Sequence, residues 1–131
     1  WEKLLAMQGN TAPYLQYAVA RVHSIFRKLN TSPDELIEKA GPPQTEAERK
    51  LARKLIFFPM AITQATQELK PHFLCTYLFE LATDFSSFYN QDKVMVPEVE
   101  VQGIRLLLCQ TTQTYLEIGL EMLGIETLTE M

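Results

Sequence analysis

Tyr14, Tyr17, Arg21, Ser24 and Lys28 recur at steps of three and four residues. On a helix that spacing gathers them on one face. Two phenol rings beside a guanidinium and an ammonium make a surface for unpaired nucleotides. Rings stack on bases, and cations meet phosphates. Arg27 adds a cation at the same end. Tyr89 combines a ring with a polar tip at a predicted helix end, where a base can stack on it. The same residues also suit a plainer role, with Tyr14 at the edge of a core and the cations solvated.

Other chemistry is harder to find. There is no Gly-rich phosphate loop. His23 and His72 are 49 positions apart, and neither lies near a nucleophile pattern. Asp84 and Glu80, four apart, read as a solvated pair and not a catalytic dyad. Cys75 and Cys109 lie in separate apolar helical patterns without metal-ligand spacing. They read as small buried hydrophobes in a reducing compartment. No catalytic residue, metal site or cofactor site is expected on these 131 residues.

The stripe needs a helix beneath it. Leu15, Ala18, Val22, Ile25, Phe26 and Leu29 supply the apolar face, roughly 110° around from the first. Asn10 or Thr11 can cap that helix, and Pro13 fits its first turn. The helix is predicted from about Thr11 to Lys28. A short second helix spans about Pro33 to Lys39, with Ser32 and Glu35 as a capping box and Gly41 as its stop. A third starts at Thr45, with Glu48 completing another box, and ends before Pro59. A fourth covers about Pro59 to Leu69, and a fifth Pro71 to Tyr89. Gln91 to Val101 reads as a loop. Val94–Val96 has strand-like character, but no partner strand of similar character exists. The sixth helix covers about Gln102 to Leu123, stopped by Gly124. The expected fold is all-α, a bundle of about five main helices plus one short one, forming one domain over 1–131. Its long first, fifth and sixth helices bury apolar faces against one another.

Bulk composition agrees. A hydrophobic fraction of 47% and only five glycines suit a globular helical domain. The longest apolar stretch, Leu55–Ile62, is broken by Pro59 and far too short to span a bilayer. No membrane partner is expected, and a cytoplasmic location is. The net charge of −4 is unevenly spread. Residues 1–70 hold ten Lys/Arg against seven Asp/Glu; residues 71–131 hold two against nine. A basic half on an acidic chain is compatible with RNA binding, of modest strength because few phosphates are neutralised. Arg49, Lys50, Arg53 and Lys54 read first as a solvated helix face and second as an accessory phosphate surface. Tyr77 and Phe79 read as core, and Arg105 as the structural partner of Glu98 or Glu100.

The run Gly9-Asn-Thr-Ala-Pro-Tyr-Leu-Gln-Tyr-Ala18, followed by Arg21-x-x-Ser24-x-x-Arg27-Lys28, resembles the start of the C-terminal anticodon-binding domain of arginyl-tRNA synthetases. This is the helical DALR type shared by class Ia synthetases. The resemblance continues through Pro71–Ala82, Phe88-Tyr89-Asn90, Arg105–Cys109 and Leu123–Leu128, nearly the whole chain. It implies binding to the anticodon loop of tRNA-Arg. Carried over residue by residue, it places Tyr14, Tyr17, Arg21, Arg27 and Tyr89 toward RNA, with Lys28 beside them. Val19 departs from the pattern, since relatives often carry an aromatic or a histidine there. The family characteristically ends in a methionine close to the anticodon, which makes Met131 a candidate contact. The His-Ile-Gly-His-like and Lys-Met-Ser-Lys-Ser-like segments of the catalytic domain are absent. The chain, which begins at Trp1, is therefore expected to be a fragment of a larger monomeric protein that ligates arginine to tRNA-Arg with ATP. Every arginine codon has a central G, so the shared central anticodon cytosine is the base to be unstacked and read. The third anticodon base varies and should be read loosely. Two rival readings are a helical protein–protein module using the tyrosine stripe as its interface, and the same domain from another class Ia synthetase.

Overall fold

The computed structural model describes residues 12–124. These form six helices: α1 (Ala12–Arg27), α2 (Pro33–Ile37), α3 (Glu46–Ile56), α4 (Phe58–Gln67), α5 (Pro71–Gln91) and α6 (Val99–Met122). No strand occurs among the described residues. The all-α bundle expected from the periodicity is the observed architecture. The proposed caps Asn10 and Thr11 lie outside the described residues.

Local signals act where their chemistry allows. Thr45 and Glu48 form a reciprocal capping box at the start of α3. Ser32 caps α2 more simply, accepting from the Asp34 N–H at 3.3 Å, without the box expected with Glu35. Pro59 sits in the first turn of α4, which begins one residue earlier than expected. The anticipated loop is shorter, because α6 starts at Val99 and takes in the apolar Val99 and Val101. Gly124 is left-handed, with φ 76°, and stops the helix just after Leu123, the C-cap of α6.

Helix α5 is the hub. It packs against α1, α3, α4 and α6. Leu78, Leu81, Phe85 and Phe88 of this helix are fully buried, with Leu74 nearly so. They meet Leu15, Val19 and Val22 of α1, Leu51 of α3, and Leu106, Leu116 and Leu120 of α6 in one core. Helix α1 contacts both α5 and α6. Ala12, Val19 and Ala20 are therefore buried together with the expected Leu15, Ala18, Val22 and Ile25. Flanked on two sides, α1 leaves only a narrow outward arc to Tyr17, Arg21, Arg27 and Lys28. Phe79, expected in the core, is 46% exposed and is covered by the Tyr14 ring at 5.5 Å.

Two glycines of α6 permit close approach. A Cβ on Gly119 would lie 2.6 Å from the Leu78 methyls. At Gly103 it would lie 2.7 Å from the Leu36 carbonyl oxygen and 2.8 Å from Ala40 N and Cα. The obstruction at Gly103 is backbone, which cannot rotate away. The cost of Gly103→Ala is expected near the overpacking range of about 1–3 kcal/mol. Urea unfolding should show that loss at unchanged m-value. A stability equal to the parent's would mean that α2 does not pack as described.

Candidate nucleic-acid interface

The outward arc of α1 meets the C-terminal end of α5. Arg21 Cζ lies 4.5 Å from the Tyr17 ring centroid and 5.0 Å from that of Tyr89. One guanidinium thus joins two rings from different helices. Tyr17 is 44% and Tyr89 38% exposed, so both retain ring surface for a ligand. Tyr89 is backed by Phe85, centroid to centroid 5.9 Å. Phe85 is fully buried, which ties the exposed ring to the core.

Tyr14 is placed differently from its stripe-mates. Its hydroxyl donates to Ser86 Oγ at 3.2 Å, and its ring lies against Phe79. It fastens α1 to α5 and does not join the stack. Val19 is fully buried, so its departure from the family pattern leaves the surface unchanged. Arg27 and Lys28 are exposed at the end of α1. Met131 lies outside the described residues.

Beside the stack, a cavity of about 430 Å³ opens between the ends of α1 and α5 and the following loop. Its walls include Ile25, Lys28, Tyr89, Lys93, Val94 and Met95. Nothing in the sequence marks Lys93 or Met95 as a site residue. They stand in a seven-residue loop without helical period, so no stripe marks them.

That loop is held by a buried charge network. Glu48 is 1% exposed. Its Oε1 accepts from the N–H groups of Gln44 at 2.7 Å and Thr45 at 2.9 Å. Its Oε2 accepts from Arg105 Nε at 2.7 Å. Arg105 also donates to the Lys93 carbonyl at 2.6 Å and lies 3.9 Å from Asp92. Asp92 in turn accepts from the Thr45 hydroxyl at 2.6 Å. Arg105 is structural as expected, but its partners are Glu48 and Asp92, not Glu98 or Glu100. The fold brings these distant acids to it, whereas sequence proximity suggested the local ones.

The basic run of α3 is largely neutralised. Lys50 pairs with Asp84, Lys54 with Glu80 and Arg53 with Glu46. Asp84 and Glu80 therefore each pair across to α3; Asp84 is largely covered, while Glu80 stays half exposed as a solvated acid. Both cysteines are buried and unbridged. Burial pushes the Cys75 thiol up and the Cys109 thiol up to about 12. Neither carries appreciable thiolate near neutral pH. No cluster of three or more His, Cys, Asp or Glu able to hold a metal occurs among the described residues. No described helix is long and apolar enough to cross a membrane.

A bundle whose described residues form helices alone, with an exposed tyrosine–arginine stack and exposed lysines at one end, has the form of an RNA-loop binding domain. Residues 15–131 match the DALR anticodon binding domain, and the chain belongs to that family. It is similar throughout its length to an arginine–tRNA ligase of Vibrio parahaemolyticus, at 46% identity over 134 residues, and to one of Mannheimia succiniciproducens, at 41% over 131. It spans 23% of each of these relatives. Among solved structures, the arginyl-tRNA synthetase of Thermus thermophilus superposes with a TM-score of 0.79 at 34% identity, covering all of this chain and 23% of that one. That of Plasmodium falciparum gives 0.81 at 29%, covering 97% and 22%.

The Glu48 network sets an acid sensitivity. Burial raises the carboxyl's affinity for a proton. Hydrogen bonds from Arg105, Thr45 and Gln44, with the Arg105 charge, outweigh burial and hold Glu48 below its ordinary value of 4.5. A carboxyl depressed in the folded state stabilises the fold above its unfolded value. That stability is lost as pH falls from about 4.5 through the lowered folded value. Glu48→Gln keeps an acceptor for the cap but leaves Arg105 without its buried partner. At pH 7 it should lose about 3–5 kcal/mol. Its stability should also fall less steeply than the parent's between pH 5 and 3. Parallel acid limbs in chemical denaturation would show that Glu48 does not titrate as described.

Proposed function

We propose that this chain binds the anticodon loop of tRNA-Arg, and that within the intact protein it serves the ATP-dependent ligation of arginine to that tRNA. The Tyr17–Arg21–Tyr89 stack carries the reading. Family membership supplies the ligand class, and the similar arginine–tRNA ligases supply the amino acid. The central cytosine shared by arginine anticodons is the base to be unstacked at this surface. Arg21, Arg27 and Lys28 face the phosphates.

Magnitudes favour a stack that opens for RNA. Each exposed cation–π contact of Arg21 is worth about 0.5–1 kcal/mol. A base stacked on an aromatic side chain contributes about 1–3 kcal/mol. An incoming base can therefore take over a ring face from the guanidinium, which is then released toward a phosphate. The rival reading as an apolar protein interface is less favoured, because the two rings are bridged by a cation and flanked by exposed lysines.

The test is tRNA-Arg binding by the intact protein carrying Tyr17→Ala, Arg21→Ala or Tyr89→Ala. Loss of one stacked base corresponds to about tenfold or more in affinity. Affinity should also fall steeply with salt, as it does when phosphates are neutralised. Unchanged affinity in all three folded variants, or binding indifferent to salt, would refute RNA recognition at this surface.

A further inference from the structure

We infer that Tyr14 is a positioning residue: held by Phe79 and Ser86 of α5, it sets the register at which Arg21 lies between Tyr17 and Tyr89, and it does so without touching RNA. This rests on the anticodon-loop reading and adds to it the device that keeps the stack in place.

Three observations carry it. The first is a grip at two points. The Tyr14 ring lies 5.5 Å from the Phe79 ring, and its hydroxyl donates to Ser86 Oγ at 3.2 Å. Phe79 and Ser86 are seven residues apart, two turns along one face of α5. A side chain held at two levels of its neighbour opposes both sliding and rotation of α1. The second is alignment. Tyr14 and Arg21 are also seven apart, on one face of α1. Ser86 and Tyr89 are three apart on α5 and share a face. One edge of α1 therefore meets one edge of α5 twice, at Tyr14 and again at Arg21. Ala18, which lies between them on that edge, is buried and carries only a methyl. Leu15, Val19 and Val22 hold the inner side of α1 in the core, and Tyr14 holds the outer side. The third is tolerance. Arg21 Cζ is already 5.0 Å from the Tyr89 centroid, and a cation–π contact needs about 6 Å or less. Slippage of one helical residue moves a side chain about 1.5 Å along the axis, enough to carry the guanidinium out of reach.

Tyr14 itself has little to offer a nucleotide. Its ring lies against Phe79, and its hydroxyl is engaged by Ser86. Its contribution is made before RNA arrives, by fixing the stack and so lowering the ordering cost of binding.

The experiment measures tRNA-Arg affinity of the intact protein carrying Tyr14→Phe or Ser86→Ala, each alone and each combined with Arg21→Ala. Tyr14→Phe keeps the ring and removes only the hydroxyl, so the fold is retained. Each substitution alone should weaken binding about two- to tenfold, the range that one net hydrogen bond represents. On the Arg21→Ala background neither should weaken it further, because the side chain they position is gone. Three outcomes overturn the proposal. Loss in Tyr14→Phe without loss in Ser86→Ala would make Tyr14 a direct RNA contact. Equal losses with and without Arg21 would show that Tyr14 does not act through it. Parent-like affinity in both single variants, whatever their stability in urea, would reduce the pair to a structural tie. Arg21→Ala alone separates the two readings. If it weakens binding while Tyr14→Phe and Ser86→Ala do not, the anticodon reading stands and the positioning role falls. If Arg21→Ala, Tyr17→Ala and Tyr89→Ala all leave binding unchanged, both fall.

Discussion

The contact between Glu48 and Arg105 constrains the rest of the candidate site. A fully buried carboxylate is tolerable only when its lone pairs are filled and its charge is met. Glu48 satisfies both conditions by facing two ways. One oxygen closes the N-terminus of α3, and the other accepts from a guanidinium on α6. Arg105 then has donors left over, and it spends one on the Lys93 carbonyl. A helix cap, an interhelical charge pair and a loop anchor are therefore one object. The loop's position beside Tyr89 follows from it. Such pairs contribute little net stability against apolar replacements, so their value here lies in specifying geometry.

Charge compensation explains how a chain of net charge −4 presents a cationic end. The acids of α5 are not spread evenly against solvent. Asp84 and Glu80 face the lysines of α3, and that flank is close to neutral. Asp92 is turned inward by Thr45 and Arg105. Exposed at the junction of α1 and α5 are Lys28 and Lys93, which pair with no acid among the described residues. Net charge, a sum over the whole surface, hides this distribution. A strand of phosphates samples the local field within a Debye length of about 8–10 Å, not the sum.

Much of this was legible in the sequence, because helices announce themselves by local rules. Period, caps and prolines place the six described helices within a few residues. The core of α1 was harder to see. Val19 and Ala20 lie off the main apolar stripe, and only the double flanking by α5 and α6 buries them. Pairing over long distances was harder still. Nearness in sequence pairs Arg105 with Glu98 or Glu100, while the fold supplies Glu48 from 57 positions away. The tyrosine stripe shows both sides. Spacing correctly put Tyr17 and Arg21 together, but it grouped Tyr14 with them. A small difference in angle around α1 points Tyr14 at Ser86 and Phe79 instead. Lys93 carries no periodic signal, and the strand-like run Val94–Val96 that holds Met95 points to no site.

The same geometry bears on what the surface contributes to recognition. Few cations stand at this end, so the electrostatic attraction is modest and salt-sensitive. The rings are few as well, but they are fixed. Tyr89 leans on Phe85, Tyr17 is bridged to it through Arg21, and the neighbouring loop is tied down by Arg105. A fixed surface gains little from nonspecific strands, which cannot place a base at each prepared position. It loses little ordering entropy on the strand that can. Discrimination by such a surface exceeds its raw affinity. On the proposed reading, that balance suits a domain that must release its RNA after each encounter while rejecting loops of the wrong sequence.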